Sequence, residues 1–318
     1  ISTVFLVVVI GGYETYLVKR GFSPSVEVTR DLWSVNRKAV QNNSDAVVML
    51  GASRIQLGLN TAVMQARLPE KDIVPLAING QYPMATLKNL AEDQSFNGLV
   101  VMSFMAQMLE PQYVDMQQDY NQYFQQKSSV YLRLDAYLTA ELKSRIRFLH
   151  PLLGLNEIVK NFSRKKAFPK PFYVSVNVDT SAVGDYSDVD TEKLKEYLIT
   201  SKESNYQEFE VMDQATWQRQ LQTLSNYVEA IQAKGGQVVL VRFPTDYEHW
   251  ILDEKYYPRA AFWDVMVATL PQLKTIHFKD DGVLSSFELP DASHLDKTDT
   301  EAFTLHLIDL LEERQIIN

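Results

Sequence analysis

The sequence predicts an α/β domain with a central parallel sheet, and three observations carry that expectation. Five short apolar runs of β-type residues recur along the chain, and helical patterns alternate with them, as in a parallel sheet covered on both faces. At 318 residues, 46% hydrophobic and 22% charged, the chain can also bury a full core as one large domain with an insertion.

The candidate strands cover residues 45–50, 73–78, 99–104, 237–243 and, more weakly, 275–278. The clearest helix runs over 211–234. Its apolar positions Trp217, Leu221, Leu224, Val228 and Ile231 share one face, and Gly235-Gly236 supplies a left-handed stop. A last helix is expected to open at Thr298-Asp-Thr-Glu301, a capping-box pattern, and to turn Phe303, Leu307, Leu310 and Leu311 toward the core.

Four segments follow. Residues 1–20 read as the end of a truncated membrane anchor, 21–109 as the first part of the α/β domain, 110–210 as an inserted, largely helical lid subdomain, and 211–318 as the domain's second part. The apolar N-terminal stretch through Tyr13 is too short to span a bilayer by itself. Tyr13 and Tyr16, then Lys19 and Arg20, suit the interface where an anchor helix emerges; a buried first strand or helix is the alternative. An uncleaved anchor implies a cell-membrane protein whose α/β domain lies outside the cytoplasmic membrane, in the periplasm. The excursion 110–210 leaves the third strand on the side where loops of parallel sheets build clefts, so it is placed either to wall a site or to decorate the surface.

Composition excludes several chemistries. There is no cysteine, so disulfides, thiolate metal sites and cysteine nucleophiles are ruled out. The five histidines (His150, His249, His277, His294 and His306) stand far apart, without an HExxH pair, which argues against a metal site. With a formal net charge of -9 and no long basic run, the chain lacks the footprint of a nucleic-acid binder.

Two pieces at opposite ends suggest a nucleophilic serine. Gly51-Ala52-Ser53-Arg54 follows the first apolar run, where a serine at a strand exit presents its hydroxyl to a cleft. Asp291-Ala-Ser-His294 precedes the last helix, and an aspartate three residues before a histidine is spaced to orient the imidazole as a general base. Asp296 is the rival orienting carboxylate. Arg54, beside the serine, is a candidate for binding an anionic group or for pairing with a surface carboxylate. Arg242, at the end of the fourth run, is a candidate ligand contact or the partner of Asp246 or Glu254.

The order of these pieces resembles the SGNH/GDSL hydrolase superfamily. Gly51-Ala52-Ser53 matches its nucleophile turn, with alanine in place of the family's aspartate; Asn79-Gly80 sits where its second block supplies an oxyanion donor; and Asp291 and His294 match its last block. The third block's asparagine has no counterpart in Val100-Val-Met-Ser103-Phe-Met-Ala-Gln107, so the oxyanion site is either weaker, completed by Ser103 or Gln107, or supported by the insertion. The match covers about half of the chain. It implies a flavodoxin-like three-layer α/β/α fold with a five-stranded parallel sheet, catalytic Ser53, Asp291 and His294, and oxyanion N–H groups from Ser53 and Gly80, without a cofactor; by their positions, Arg54, Asn79 and Arg242 are the candidate substrate contacts.

The chain is most similar in pattern to membrane-anchored SGNH-like proteins of cell-envelope polysaccharide O-acylation. That resemblance implies an acyl donor and a glycan acceptor, with a membrane-embedded acyltransferase as partner. Acyl transfer and deacylation both fit an acyl-serine. A simple carboxylesterase and a non-catalytic glycan-binding or scaffold protein on the same fold are the alternatives.

Overall fold

A computed structural model describes residues 2–317 of the chain; Ile1 and Asn318, the ends of the first and last expected segments, lie outside the described residues. Helices α1 (Ser2–Lys19) and α2 (Arg30–Ala39) precede strand β1 (Ala46–Leu50). Helices α3 (Ser53–Gly58) and α4 (Thr61–Arg67) lead to β2 (Asp72–Pro75), and α5 (Met84–Glu92) leads to β3 (Leu99–Ser103). The excursion then holds α6 (Gln118–Gln126), α7 (Val130–Lys143), α8 (Leu155–Lys165), a small hairpin of β4 (Val174–Val176) and β5 (Ala182–Gly184), and α9 (Thr191–Glu208). The chain returns through α10 (Gln214–Gln232) to β6 (Gln237–Arg242), α11 (Tyr247–Tyr256), α12 (Trp263–Thr269), β7 (Lys274–His277) and α13 (Thr300–Glu313).

The five apolar runs pair into one parallel sheet in the order β2-β1-β3-β6-β7. This is the doubly wound order in which the strand sequence reverses beside β1, and the crevice at the strands' carboxyl ends there is the usual ligand position. Alternation along each strand divides the core in two. Val48, Leu50, Val100, Met102, Val238 and Leu240 face a layer containing Trp33, Leu87 and Trp217, whereas Val47, Met49, Val101, Val239 and Val241 face Phe303, Leu307 and Ile308. Neither face meets water, which is why the runs are continuously apolar.

The α10 stripe is buried at all five anticipated positions, and Gly235 adopts φ +88° at the stop, where its missing Cβ removes the steric cost. The second strand ends earlier than anticipated, at Pro75, although Leu76 and Ile78 still donate to the carbonyls of Met49 and Gly51 at 2.9 and 3.2 Å. The last helix begins at Thr300 and has no capping box. Thr298 instead closes a turn on Asp296, donating through its N–H (2.9 Å) and hydroxyl (2.7 Å) to Oδ1, so its side chain is not available to the helix.

The excursion grips the domain at several points. Helix α7 packs on α2, α6 packs on α2 and α5, and α9 packs on α11. At the N-terminus, Leu17 is buried against Phe22 and Leu153, while Phe5, Val7 and Val8 are exposed. Among the described residues no helix is long and apolar enough to cross a membrane.

Candidate active site

The site begins with a steric requirement at the exit of β1. A Cβ on Gly51 would lie 2.7 Å from Ile55 Cγ2 and 3.0 Å from Ser103 Cβ, so only glycine lets the chain turn this tightly from β1 into α3. Ser53 is the first residue of α3, and first-turn amides lack a partner within their own helix. Across the cleft Gly80 turns at φ +71° between Ile78 and Gln81 and lines the same pocket as Ser53. Among the described residues, neither the Ser53 nor the Gly80 N–H donates to another backbone or side-chain group. Two unpaired amides beside a serine hydroxyl form a possible oxyanion site.

Residues 241 positions apart complete the arrangement. Ser53 Oγ lies 2.7 Å from His294 Nε2, and His294 Nδ1 lies 2.8 Å from Asp291 Oδ2. With its Nδ1–H directed at that carboxylate, the imidazole offers Nε2 as acceptor for the serine proton.

Asp291 is completely buried and fully satisfied. Its Oδ1 accepts from the N–H groups of Ser293 (3.0 Å) and His294 (2.8 Å), and its Oδ2 accepts from His294 and from the Tyr186 hydroxyl at 2.7 Å. Burial acts to raise its pKa, but the hydrogen bonds and the charge of His294, with those from Tyr186 and Ser293, outweigh it and bring it down to about 2. Ala292 takes φ +74°, a left-handed conformation costly for a residue with a Cβ, and so brings both following amides onto Oδ1.

The excursion braces both ends of this machinery. Tyr186 follows β5, and its own N–H donates to Asp296 Oδ2 at 3.0 Å. Asp296, the rival carboxylate, is therefore occupied by Tyr186 and Thr298 and does not orient His294. On the other side Gln117, just before α6 and completely buried, donates through Nε2 to the carbonyls of Gly51 (3.2 Å) and Gln81 (3.1 Å), while its Oε1 accepts from Thr86 at 2.5 Å. One amide thus ties the Gly51 turn to the Gly80 turn. Gln117→Leu leaves the Gln81 carbonyl and the Thr86 hydroxyl without this partner, a cost of about 1–3 kcal/mol each, while the Gly51 carbonyl keeps only the Ile78 N–H, and so loosens the two turns relative to each other. A roughly ten- to hundred-fold fall in kcat on an aryl acetate, with KM much less changed, is the expected result.

The remaining anticipated residues fare differently. Arg54 lines the pocket with Ser53. Asn79 is exposed and is not among the residues lining that pocket. Arg242 points away from it: its Nη2 meets Asp253 Oδ2 at 2.5 Å, both side chains are 6% exposed, and Nη1 donates to the Phe243 carbonyl. The expectation of a substrate contact from Arg242 is therefore corrected to a structural ion pair, and its partner is Asp253 rather than Asp246 or Glu254. A guanidinium buried at a strand end cannot forgo a carboxylate, and α11 delivers one. In the third block, Ser103 and Gln107 both line the pocket; Gln107 Oε1 accepts from Tyr82 (2.9 Å) and Lys202 (3.3 Å).

Sequence reasoning missed Tyr186, Gln117, Lys202, His249 and Asp253. None lies within a motif. The only signal was the length of the excursion itself, which supplies the first three of them.

No family model matches this chain, and no curated protein matches its sequence. Among solved structures it is similar to TesA at 15% identity, covering 84% of this chain and 98% of that one with a TM-score of 0.38. Identity and TM-score that low carry no functional inference. The chain has the α/β architecture with a five-stranded parallel sheet that the SGNH resemblance implies, and its serine, histidine and aspartate meet at the carboxyl end of that sheet.

Proposed function

We propose that this chain is an SGNH-like serine enzyme that forms an acyl-serine at Ser53 and moves an acyl group, acetyl above all, to or from an extracytoplasmic glycan. The observation that carries the reading is the continuous path from Ser53 Oγ through His294 to buried Asp291, at 2.7 and 2.8 Å. Ser53 Oγ attacks the ester carbonyl as His294 Nε2 takes its proton, the N–H groups of Ser53 and Gly80 receive the oxyanion, and His294 returns the proton to the departing alcohol. The acyl-serine then yields to whichever hydroxyl reaches it.

Transfer rather than hydrolysis is favoured by what covers the pocket. Tyr113 and Met116 from the start of the excursion, and Leu198, Ser201 and Lys202 from α9, line it together with Ser53. Such a wall limits bulk water and leaves room for a bound acceptor. Offering an aryl acetate with and without envelope glycan fragments is expected to divert the acetyl group from free acetate to acetylated sugar. Hydrolysis at the same rate with every glycan would identify a simple carboxylesterase.

The membrane attachment proposed with this reading draws on the surface around α1. Phe5, Val7, Val8 and Val9 are exposed on α1, and Tyr13 stacks on Tyr16 at 6.1 Å. Two helices of the excursion expose further apolar faces. Helix α7 exposes Tyr131, Leu134, Leu138 and Leu142 along one stripe, and α8 exposes Leu155, Val159 and Phe162 with Lys160, Arg164, Lys165 and Lys166 beside them. An apolar stripe flanked by cations suits the surface of an anionic bilayer. The chain is expected to float with vesicles containing phosphatidylglycerol, and less so when Lys160, Arg164, Lys165 and Lys166 are all changed to glutamine. Failure to float with any vesicle would remove the bilayer from the account.

A further inference from the structure

Among the described residues, the lining of the pocket beside Ser53 includes the cations Arg54 and Lys202 and no carboxylate. Arg54, next in the chain after the nucleophile, donates through Nη1 to Met105 Sδ at 3.1 Å, and its Nη2 faces His249 Nε2 at 3.2 Å. Its buried Nε has no partner, and among the described residues no acid pairs with it. This is an unusual state for a guanidinium, which normally finds a carboxylate when buried.

Lys202 of α9 reaches the same pocket with only 16% of its side chain exposed, its Nζ 3.3 Å from Gln107 Oε1 and 3.5 Å from Asp253 Oδ1. Asp253 is the one carboxylate in this group, and it is already occupied. Its Oδ2 holds Arg242 at 2.5 Å, and its Oδ1 accepts from the Tyr206 hydroxyl at 2.7 Å. Three cations therefore share one anion. The imbalance is visible in the ammonium: burial, with Arg54 and Arg242 nearby, lowers the Lys202 pKa to about 7 against the pull of Asp253. Burial likewise keeps His249 far below its ordinary value, so it remains neutral and adds no further positive charge.

We propose that Arg54 and Lys202 bind an anionic group on the substrate, a carboxylate or a phosphate carried near the ester that Ser53 attacks. The inference rests on the acyl-serine reading for its catalytic consequence. Its geometry is independent of that reading: two cationic donors from separate elements converge on a cavity of about 320 Å³ that opens on Ser53. An arriving anion supplies the missing counter-charge, with the guanidinium fork fixing its orientation and the ammonium adding a point charge. Neutral esters leave the cations uncompensated. The enzyme thus selects acylated acidic sugars or sugar phosphates over neutral ones.

The test compares kcat/KM for deacetylation of three substrates: acetylated methyl glucuronide, acetylated glucose 6-phosphate and acetylated methyl glucoside. The wild type is expected to prefer one or both charged substrates over the neutral glucoside, and the better of the two identifies the anion. Charge-assisted hydrogen bonds of this kind carry about ten- to hundred-fold in affinity, so the charged-to-neutral ratio should fall by about that factor in Arg54→Gln and in Lys202→Met. Lys202→Arg should restore most of it. Equal use of charged and neutral esters by the wild type, or a ratio unmoved in both variants, would overturn the proposal.

Calorimetry of Ser53→Ala with glucuronate and glucose 6-phosphate separates this inference from the catalytic one. Binding of either ligand, weakened when Lys202→Met is added, supports the anion site even if no ester is turned over. No binding of either ligand overturns it even if Ser53 proves to be the nucleophile.

Discussion

Ser53→Ala is expected to lower kcat on small aryl acetates by roughly 10⁴- to 10⁶-fold while leaving the fold unchanged. Ser53 begins α3, and its hydroxyl is engaged only with His294, at 2.7 Å, so its removal costs no packing and no cap. Alanine suits the first turn of a helix equally well. The residual rate would come from the Gly80 turn and from binding alone. A variant as active as the wild type, with an unchanged melting temperature, would exclude an acyl-serine at this position.

Asp291→Asn is expected to cost about 10⁴-fold through a different route. The carboxylate accepts four hydrogen bonds and holds His294 with Nδ1–H directed toward it. A carboxamide offers an NH2 group in place of one oxygen, which favours the imidazole tautomer with its proton on Nε2, and that tautomer cannot accept from Ser53. The pH dependence separates this from a folding defect. The Asp291 pKa is held at about 2, below its ordinary value of 3.8, so its contribution to stability is fully present above that ordinary value and is lost as pH falls toward 2. Asp291 therefore stays ionised across the whole range in which an ordinary imidazole changes charge. Acid unfolding below pH 4 should be less steep in Asp291→Asn than in the wild type.

The sheet and its neighbours were legible because their signals are local. Runs such as Ala46–Leu50 announce a strand buried on both faces, and the five apolar positions of α10 share one face whatever surrounds them. The meeting of Ser53 with His294 was legible for a topological reason: one follows the first strand and the other precedes the last helix, and a doubly wound sheet brings those positions to the same edge. What could not be read depends on long-range choice. Thr298 had the spacing of a capping residue, yet the nearer Asp296 took its hydroxyl. Arg242 had acidic residues at several nearby positions, and only the path of α11 decided for Asp253. Tyr186 reaches Asp291 across 105 positions, and Gln117 reaches Gly51 across 66, from a segment whose sequence carries no mark of either contact.

That dependence gives the excursion a definite part in the site. It supplies the phenol on Asp291, the amide between the Gly51 and Gly80 turns, and the ammonium in the pocket. Neither the two halves of the α/β domain nor the residues of the resemblance contain these groups.

The most direct test of an acyl-serine at Ser53 is covalent. The protein is treated briefly with a fluorophosphonate, digested, and its peptides weighed by mass spectrometry. A nucleophile activated by His294 and Asp291 predicts one phosphonylated peptide, with the added mass on Ser53, and its loss in His294→Ala even though the serine is still present. Labelling of another residue, or labelling of equal extent in wild type and Ser53→Ala, would contradict the account.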